Sequence, residues 1–296
     1  MRRTYRGEWT FIIVNTIIML GVIFVTLYPF WSAVAGSFSE GQAYIRNRGV
    51  TFWPVSFTIA NYEVVFREPG ILEAFRMTIL RTLIGTATHL AVASMFAYGL
   101  SKAYIVGRKF YGTLGLITMF FSGGLIPSYL MRDWLGLIDT FPVFILPHMI
   151  NFWNVIIFHA FFREIPSSIS ESAKIDGAGE FQIFVRLILP LSGAVFAAIA
   201  LFQGVWNWND FMVPLAFTQS RELETIPLLL MRVIRTREAA AGLAARAALV
   251  TTQHARIHPV TIQLATMVVA AAPIAAVYPF LQRYFVKGIM LGSIKG

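Results

Sequence analysis

Six long apolar stretches, separated by polar connections, set the plan of the chain: Phe11 to Ala35, Ile79 to Leu100, Tyr111 to Met131, Phe141 to Phe162, Leu191 to Phe217 and Val260 to Phe285. Each reaches about 20 residues, the length at which an α-helix crosses roughly 30 Å of hydrocarbon. The third is interrupted by Gly123-Gly124 and Pro127, and the sixth carries Pro273 and Pro279. The pattern predicts an all-α polytopic membrane protein of six transmembrane helices, with 1–296 forming one transmembrane domain and long polar connections at 37–72 and 218–259. Ala33-Val34-Ala35 resembles a secretory cleavage site. However, the run before it is too long for a signal h-region, and Tyr28-Pro29-Phe30-Trp31 suits an interfacial aromatic belt, so the first helix is expected to stay. No internal repeat or low-complexity tract is visible.

The longest polar-patterned segment in the middle of the chain lies between the fourth and fifth runs and reads as a helical hairpin over 165–190. Ser168 followed three residues later by Glu171 has capping-box spacing, just after Pro166, so a helix is expected to start near Ser168. Gly177 can take the positive φ that ends it, and Asp176 or Gly179 can open a second helix, which Pro190 closes. Ile169 and Ala173 share one face. Phe181, Phe184, Val185 and Ile188 make another, and such a surface asks for a cover.

Composition agrees with the pattern: 57% of residues are hydrophobic, only 13% are charged, and the mean hydropathy is +0.66. A soluble domain carries about twice that share of charge. The formal charge of +9 would suit nucleic acid, but the basic residues are scattered through the connections and form no single patch. Membrane topology accounts for them better, and no nucleic-acid partner is expected. With no cysteine, disulfides, Cys-type zinc sites and thiol nucleophiles are excluded.

Orientation follows from the short connections, where the distribution of basic residues is most informative. Lys102, Arg108 and Lys109 lie between runs two and three, against Asp133 and Asp139 with Arg132 between runs three and four. This places both termini, including Arg2, Arg3, Arg6 and Lys295, on the cytoplasmic side. With six spans the hairpin is then cytoplasmic too, and the loops at 37–72 and 218–259 are extracytoplasmic. The connection at 218–259 is as basic but long, and its Ala239 to Ala247 stretch favours a helix that could be interfacial or substrate-side.

Polar residues within the apolar runs are candidates for a path. Gln203, Asn207 and Asp210 recur at i, i+4 and i+7 on the fifth run, beside Trp206 and Trp208. Such a stripe faces either a water-filled cavity, with Trp faces for sugar rings and amides for hydroxyls, or a neighbouring helix as glue. His148 and Asn151 (with Asn154) in the fourth run and Arg81 and His89 in the second have the same two readings. Asp210 is the only acidic residue within any proposed span. No Gly-x-x-x-x-Gly-Lys-Ser/Thr loop, zinc motif, metal site or nucleophile–base arrangement stands in a plausible context, so this chain is not expected to be an enzyme or to carry its own ATPase site.

The hairpin residues Glu171-Ser172-Ala173-Lys174-Ile175-Asp176-Gly177-Ala178, running on to Leu187-Ile188-Leu189-Pro190, resemble the cytoplasmic "EAA" loop of permease subunits in binding-protein-dependent ABC importers. Ser172 stands where those permeases carry a second small residue, Ala. Asp176-Gly177-Ala178 and Pro190 resemble the carbohydrate, maltose-type branch. Phe121-Ser122-Gly123-Gly124-Leu125-Ile126-Pro127, Trp208-Asn209-Asp210-Phe211 and the tail Tyr278-Pro279-Phe280 to Gly296 look like its oligosaccharide-importer subgroup, which includes alginate importers. Only Arg237 to Pro259 matches no pattern. The resemblance implies a type I ABC importer permease in a bacterial inner membrane. Its partners would be a homologous but non-identical permease, two ATPase subunits that bind ATP and Mg, an extracytoplasmic solute-binding protein and an oligosaccharide substrate. It also implies that Glu171, Ser172, Ala173, Lys174, Asp176 and Gly177 form a helix seated in an ATPase cleft, Glu171 meeting a basic residue, with the tail lying against the ATPase dimer. The alternative is an ATP-independent secondary transporter or channel protomer, which would be expected to show inverted repeats and intramembrane carboxylates. A membrane-embedded enzyme is a third, poorer fit. A basic outer face is the one physical hint toward an acidic sugar.

Overall fold

A computed structural model describes residues 6–49, 51–247 and 258–292. Among these there is no strand beyond a single Ser39–Phe57 bridge. The helices are α1 (Arg6–Ser37), α2 (Gly41–Arg46), α3 (Ala60–Phe66), α4 (Ile71–Ser101), α5 (Arg108–Phe120), α6 (Leu125–Trp134), α7 (Phe152–Glu164), α8 (Ser167–Ile175), α9 (Glu180–Ile183), α10 (Leu189–Leu191), α11 (Gly193–Asn209), α12 (Met212–Phe217), α13 (Ile226–Ala247) and α14 (Pro259–Gly292). Three segments are long and apolar enough to cross a membrane unbroken: Phe11–Ser37, Ile71–Ser101 and Pro259–Val277. Two further helix pairs are long and apolar enough only when taken together, and each is bent at a short break. Phe141–His148 meets Phe152–Glu164 at 49°, and Glu180–Leu191 meets Gly193–Asn209 at 82°.

The breaks fall where backbone chemistry demands them. Tyr111 to Met131 is not one helix: α5 ends at Phe120, Gly124 has φ +82°, and α6 restarts with Pro127 in its first turn, where the missing N–H costs nothing. The fourth apolar run opens as two 3₁₀ turns, each with a proline near its start, before α7 begins at Phe152. The fifth breaks at Asp210, whose extended backbone separates α11 from α12. The second runs longer than its apolar core predicts, starting two turns earlier at Ile71.

The chain divides into two compact units. In the unit of Met1–Ile71 with Leu230–Ala272, Asn61 is the polar centre. Its amide donates to the Ser37 and Ser39 carbonyls at 2.9 Å, and its oxygen accepts from the Thr261 hydroxyl at 3.0 Å, tying the ends of three helices with no buried group left unpaired on that side chain. In the unit of Leu72–Leu229 with Pro273–Gly296, an apolar core gathers Ala93, Ala97, Phe158, Phe162, Ile183, Phe184, Ile188 and Ile199. The Ala-rich stretch of the 218–259 connection is helical through Ala247. The remaining part of the unmatched Arg237 to Pro259 segment, residues 248–257, lies outside the described residues, as do Arg2, Arg3 and Ser293 to Gly296.

Candidate functional site

Two places in the second unit concentrate chemistry. The first is a cavity of about 230 Å³ lined by His148, Ile150, Asn151, Asn154, Phe202, Gln203 and Trp206. Local structure explains how α7 and α11 present these side chains. Asn151 caps α7, its Oδ1 accepting the Trp153 N–H at 2.9 Å. Asn154, one turn on, donates to His89 Nε2 at 2.8 Å, while His89 Nδ1 meets the His148 carbonyl at 3.0 Å. An acceptor at Nε2 fixes the Nδ1–H tautomer, which can then donate to that carbonyl. His89 thus holds both the 3₁₀ turn and α7 in register against α4. The His148 ring lies 4.7 Å from the Trp206 ring, and its Nε2 is buried without a hydrogen-bond partner. The lining combines amides, an imidazole and an indole face with no charged side chain.

Of the path candidates, His148, Asn151, Gln203 and Trp206 come together at this cavity, while Asn207 and Asp210 do not. Asn207 is buried against α4, donating to Thr86 Oγ1 at 3.2 Å, with its amide nitrogen 3.0 Å from where a Cβ on Gly85 would stand. Asp210 lies past the end of α11, so the i, i+4, i+7 stripe stops before reaching it. Its Oδ2 pairs with Arg81, which also donates to the Asp210 carbonyl at 2.9 Å and stacks 4.8 Å over the Phe144 ring. Its Oδ1 accepts the Met212 and Val213 N–H groups at 2.9 and 3.2 Å, capping α12. One carboxylate therefore pins the α11–α12 break to α4. Among the described residues no three His, Cys, Asp or Glu side chains gather to hold a metal ion.

The second place is the hairpin. The predicted Ser168–Glu171 capping box is absent, because α8 starts one residue earlier with Pro166 as N-cap and Ser168 already inside the first turn. Its C-terminus is a Schellman motif: the Ala178 N–H donates to the Ala173 carbonyl at 2.9 Å and the Gly177 N–H to the Lys174 carbonyl at 3.0 Å. Gly177 has φ +81°, the left-handed value a residue with a side chain resists. Gly179, not Asp176, opens α9, its N–H donating to Gln182 Oε1 at 3.2 Å. Pro190 does not close the second helix. The chain passes through a π-helical turn at Phe184–Ile188 and on through α10, breaking only at Ser192.

The expected apolar face splits in two. Ile183, Phe184 and Ile188 are buried in the core of the unit, with Phe184 5.1 Å from the Tyr98 ring, while Phe181 is 70% exposed and Ile175 is 87% exposed. Glu171, Ser172, Lys174, Asp176 and Gly177 are exposed as well, and Ala173 is half-buried against the core. α8 is therefore a rigid turn of helix, anchored on one side and open on the other.

The sequence reading passed over Glu180. Its carboxylate lies 2.6 Å from Lys174 Nζ and 4.0 Å from Lys102 Nζ, and it accepts the Tyr98 hydroxyl at 2.7 Å. The Tyr104 hydroxyl also engages it, with burial and that hydrogen bond pushing the Tyr104 pKa up to about 12. Lys102 packs over the Tyr98 ring at 4.4 Å and Lys174 over the Tyr104 ring at 4.9 Å. The basic 2–3 connection and the tyrosines were visible in the sequence, but not that one acid would collect them. On the loops away from the hairpin, Asp139 holds Gln219 and Ser220 through two backbone N–H groups at 2.8 Å and the Ser220 hydroxyl at 2.5 Å. These bonds, the Ser220 hydroxyl first, keep its pKa below the usual carboxylate value.

Residues 9–291 match the family described as binding-protein-dependent transport system inner membrane component. The chain is 38% identical to Protein LplC of Bacillus subtilis (strain 168), over 100% of this chain and 98% of that protein. It is 35% identical to the polygalacturonan/rhamnogalacturonan transport system permease protein YtcP of the same organism, over 92% and 93%. In three dimensions it is similar to a chain of a bacterial ABC transporter involved in the import of the acidic polysaccharide alginate. That match has a TM-score of 0.83 and 28% identity, and covers 96% of this chain and 100% of that one.

Proposed function

The chain belongs to the family of binding-protein-dependent transport system inner membrane components, a permease of sugar-importing ABC transporters, and from that premise we propose that it carries an acidic oligosaccharide inward across a bacterial inner membrane. The cavity of His148, Asn151, Asn154, Gln203 and Trp206 is the observation that carries this reading. An indole face packs against a sugar ring, and uncharged amides and imidazole hydrogen-bond hydroxyls without holding a charged substrate too tightly to release. The absence of a fixed negative charge on the lining suits a uronate, and relatives that carry polygalacturonan and alginate favour that class.

In this reading an extracytoplasmic solute-binding protein delivers the oligomer, a homologous second permease completes the path, and two separate ATPase subunits bind ATP and Mg. The hairpin is cytoplasmic. Glu171, Ser172, Lys174, Asp176 and Gly177 offer their exposed side to an ATPase cleft, and the anchored side with Ala173 passes its movement to the core. Open apolar side chains at Ile175 and Phe181 suit a surface that is covered in the complex.

The test is binding-protein-dependent uptake in proteoliposomes, normalised to complex content, for a uronate oligomer and a neutral one. Trp206→Ala and Gln203→Leu are expected to lower uronate uptake about tenfold or more, the loss of roughly 1.4 kcal/mol of interaction per site, with assembly unchanged. Wild-type uptake in both would remove the cavity from the path. Uptake that persists without any co-purifying ATPase would instead favour the secondary-transporter alternative.

A further inference from the structure

Glu180 is the meeting point of three segments that the chain keeps far apart in sequence. Lys174 reaches it from the exposed side of α8, Tyr98 and Lys102 from the end of α4, and Tyr104 from the connection that follows. A carboxylate has two oxygens and about four acceptor positions, and here both oxygens are engaged: Oε1 with Lys174, Oε2 with Tyr98 and Lys102. The two lysines repel each other, and Glu180 is the acidic group that the ion pairs place beside both. Removing its charge leaves two ammonium groups facing one another across a partly buried space.

We propose that Glu180 is a positioning residue of the transport cycle, a latch that makes the exposed helix Ser167–Ile175 and the long helix Ile71–Ser101 move as one piece. α4 is the element that, through His89, also sets His148 and Asn154 at the polar cavity. A displacement of α8 would thus have a short route to the cavity: Lys174 to Glu180, Glu180 to Tyr98 and Lys102, then along two and a half turns of α4 to His89. The apolar contacts of Ile183 and Phe184 hold the second arm of the hairpin in place, and Ala173 packs α8 on the same core, while the Lys174–Glu180 pair ties α8 to that route by charge. Side-chain networks of this kind act as a unit, and changes along a connected set of residues can alter coupling between two sites without touching either ligand.

The inference rests on the reading of α8 as the contact to an ATPase, and the experiment keeps the two apart. In the full reconstituted complex, uptake and ATP hydrolysis are measured together for Glu180→Gln, Glu171→Lys and the wild type. Glutamine keeps the shape and an acceptor for Tyr98 but loses the charge. The expected result is normal assembly and continuing hydrolysis, with oligosaccharide moved per ATP falling about 5-fold or more.

Because the chain has no cysteine, Lys102→Cys and Lys174→Cys can be placed in the Glu180→Gln background and joined by a short bis-maleimide. If Glu180 acts only by holding the segments together, the covalent bridge restores coupling, which a residue needed merely for folding would not do. Should Glu180→Gln fail to assemble, the double variant Tyr98→Phe, Lys102→Met, which keeps Lys174 paired and the aromatic core filled, carries the same expectation. Wild-type uptake per ATP in Glu180→Gln, or in that double variant, overturns the latch. If Glu171→Lys also leaves coupling untouched, it is the ATPase contact of α8 that fails; if Glu171→Lys uncouples and Glu180→Gln does not, the latch alone is wrong.

Discussion

At the scale of single residues, the side chains with most at stake are those whose partners the sequence could not name. Asp210 read as one member of a polar stripe, yet its carboxylate is divided between a buried guanidinium and the start of α12. Helical spacing foretold Gln203 and Asn207 on α11 but not the chain break at Asp210, because the break depends on Arg81, 129 residues away. Asp210→Asn keeps an oxygen for the Met212 and Val213 N–H groups and loses only the charge. It should therefore isolate the cost of leaving Arg81 buried without its counter-ion, on the order of 3–5 kcal/mol. Thermal unfolding of the purified complex should show a clear drop for Asp210→Asn, and the double change Arg81→Met, Asp210→Asn should recover part of it. A stability equal to wild type in the single variant would mean that the pair is solvated. His148, by contrast, was legible as a polar residue in an apolar run, and its neighbours at the cavity, Asn151 and Asn154, follow it at three and six residues.

At the scale of elements, hydropathy located the apolar runs and left their breaks to be found. Runs one, two and six are single helices because nothing in them forces an interruption that packing cannot absorb; even Pro273 and Pro279 stay within α14. Runs three, four and five break at Gly123-Gly124, at 149–151 after the two 3₁₀ turns, and at Asp210, and of these only the first was marked in advance. The hairpin was more legible. Gly177 as a left-handed stop and a second helix after it were both readable from composition, whereas the missing capping box and the continuation through Pro190 were not. The π-helical turn at Phe184–Ile188 already departs from the i→i−4 ladder, so a proline two residues later removes less there than in a regular helix. Gly177→Val should cost the Schellman turn its conformation, a strain of about 1–3 kcal/mol. The expected outcome is a complex of normal abundance that loses either ATPase binding or substrate-stimulated hydrolysis. Both properties intact would leave the hairpin as a surface structure only.

For the whole molecule, the family and the fold were legible because they rest on repeated features: apolar runs of membrane length, and a polar hairpin of fixed spacing between two of them. Orientation rests on fewer residues, the basic 2–3 connection against the acidic 3–4 connection. It predicts Lys174 inside and Asp139 outside, and the cysteine-free chain allows a direct check. A Lys174→Cys variant should resist an impermeant maleimide in intact cells and react once they are opened, while a cysteine at the exposed Glu222 should react from the outside. Labelling in the reverse order would invert the assignment and, with it, the direction of the proposed transport.

The Arg81–Asp210 pair also bears on how the chain is made. α4 leaves the ribosome with its arginine long before α11 exists, and at about 5–20 residues per second the 129 residues from there up to and including Asp210 take roughly 6 to 26 s. For that interval the membrane receives a helix bearing a cation with no partner, near the start of the apolar run rather than at its middle, where the insertion penalty falls below the about 2.5–3.5 kcal/mol of a charge at a helix centre. Until Asp210 arrives, the long Arg81 side chain can reach the water and lipid headgroups at that end of the span. Synthesis of the second half of the protein is in this sense what completes the insertion of the first.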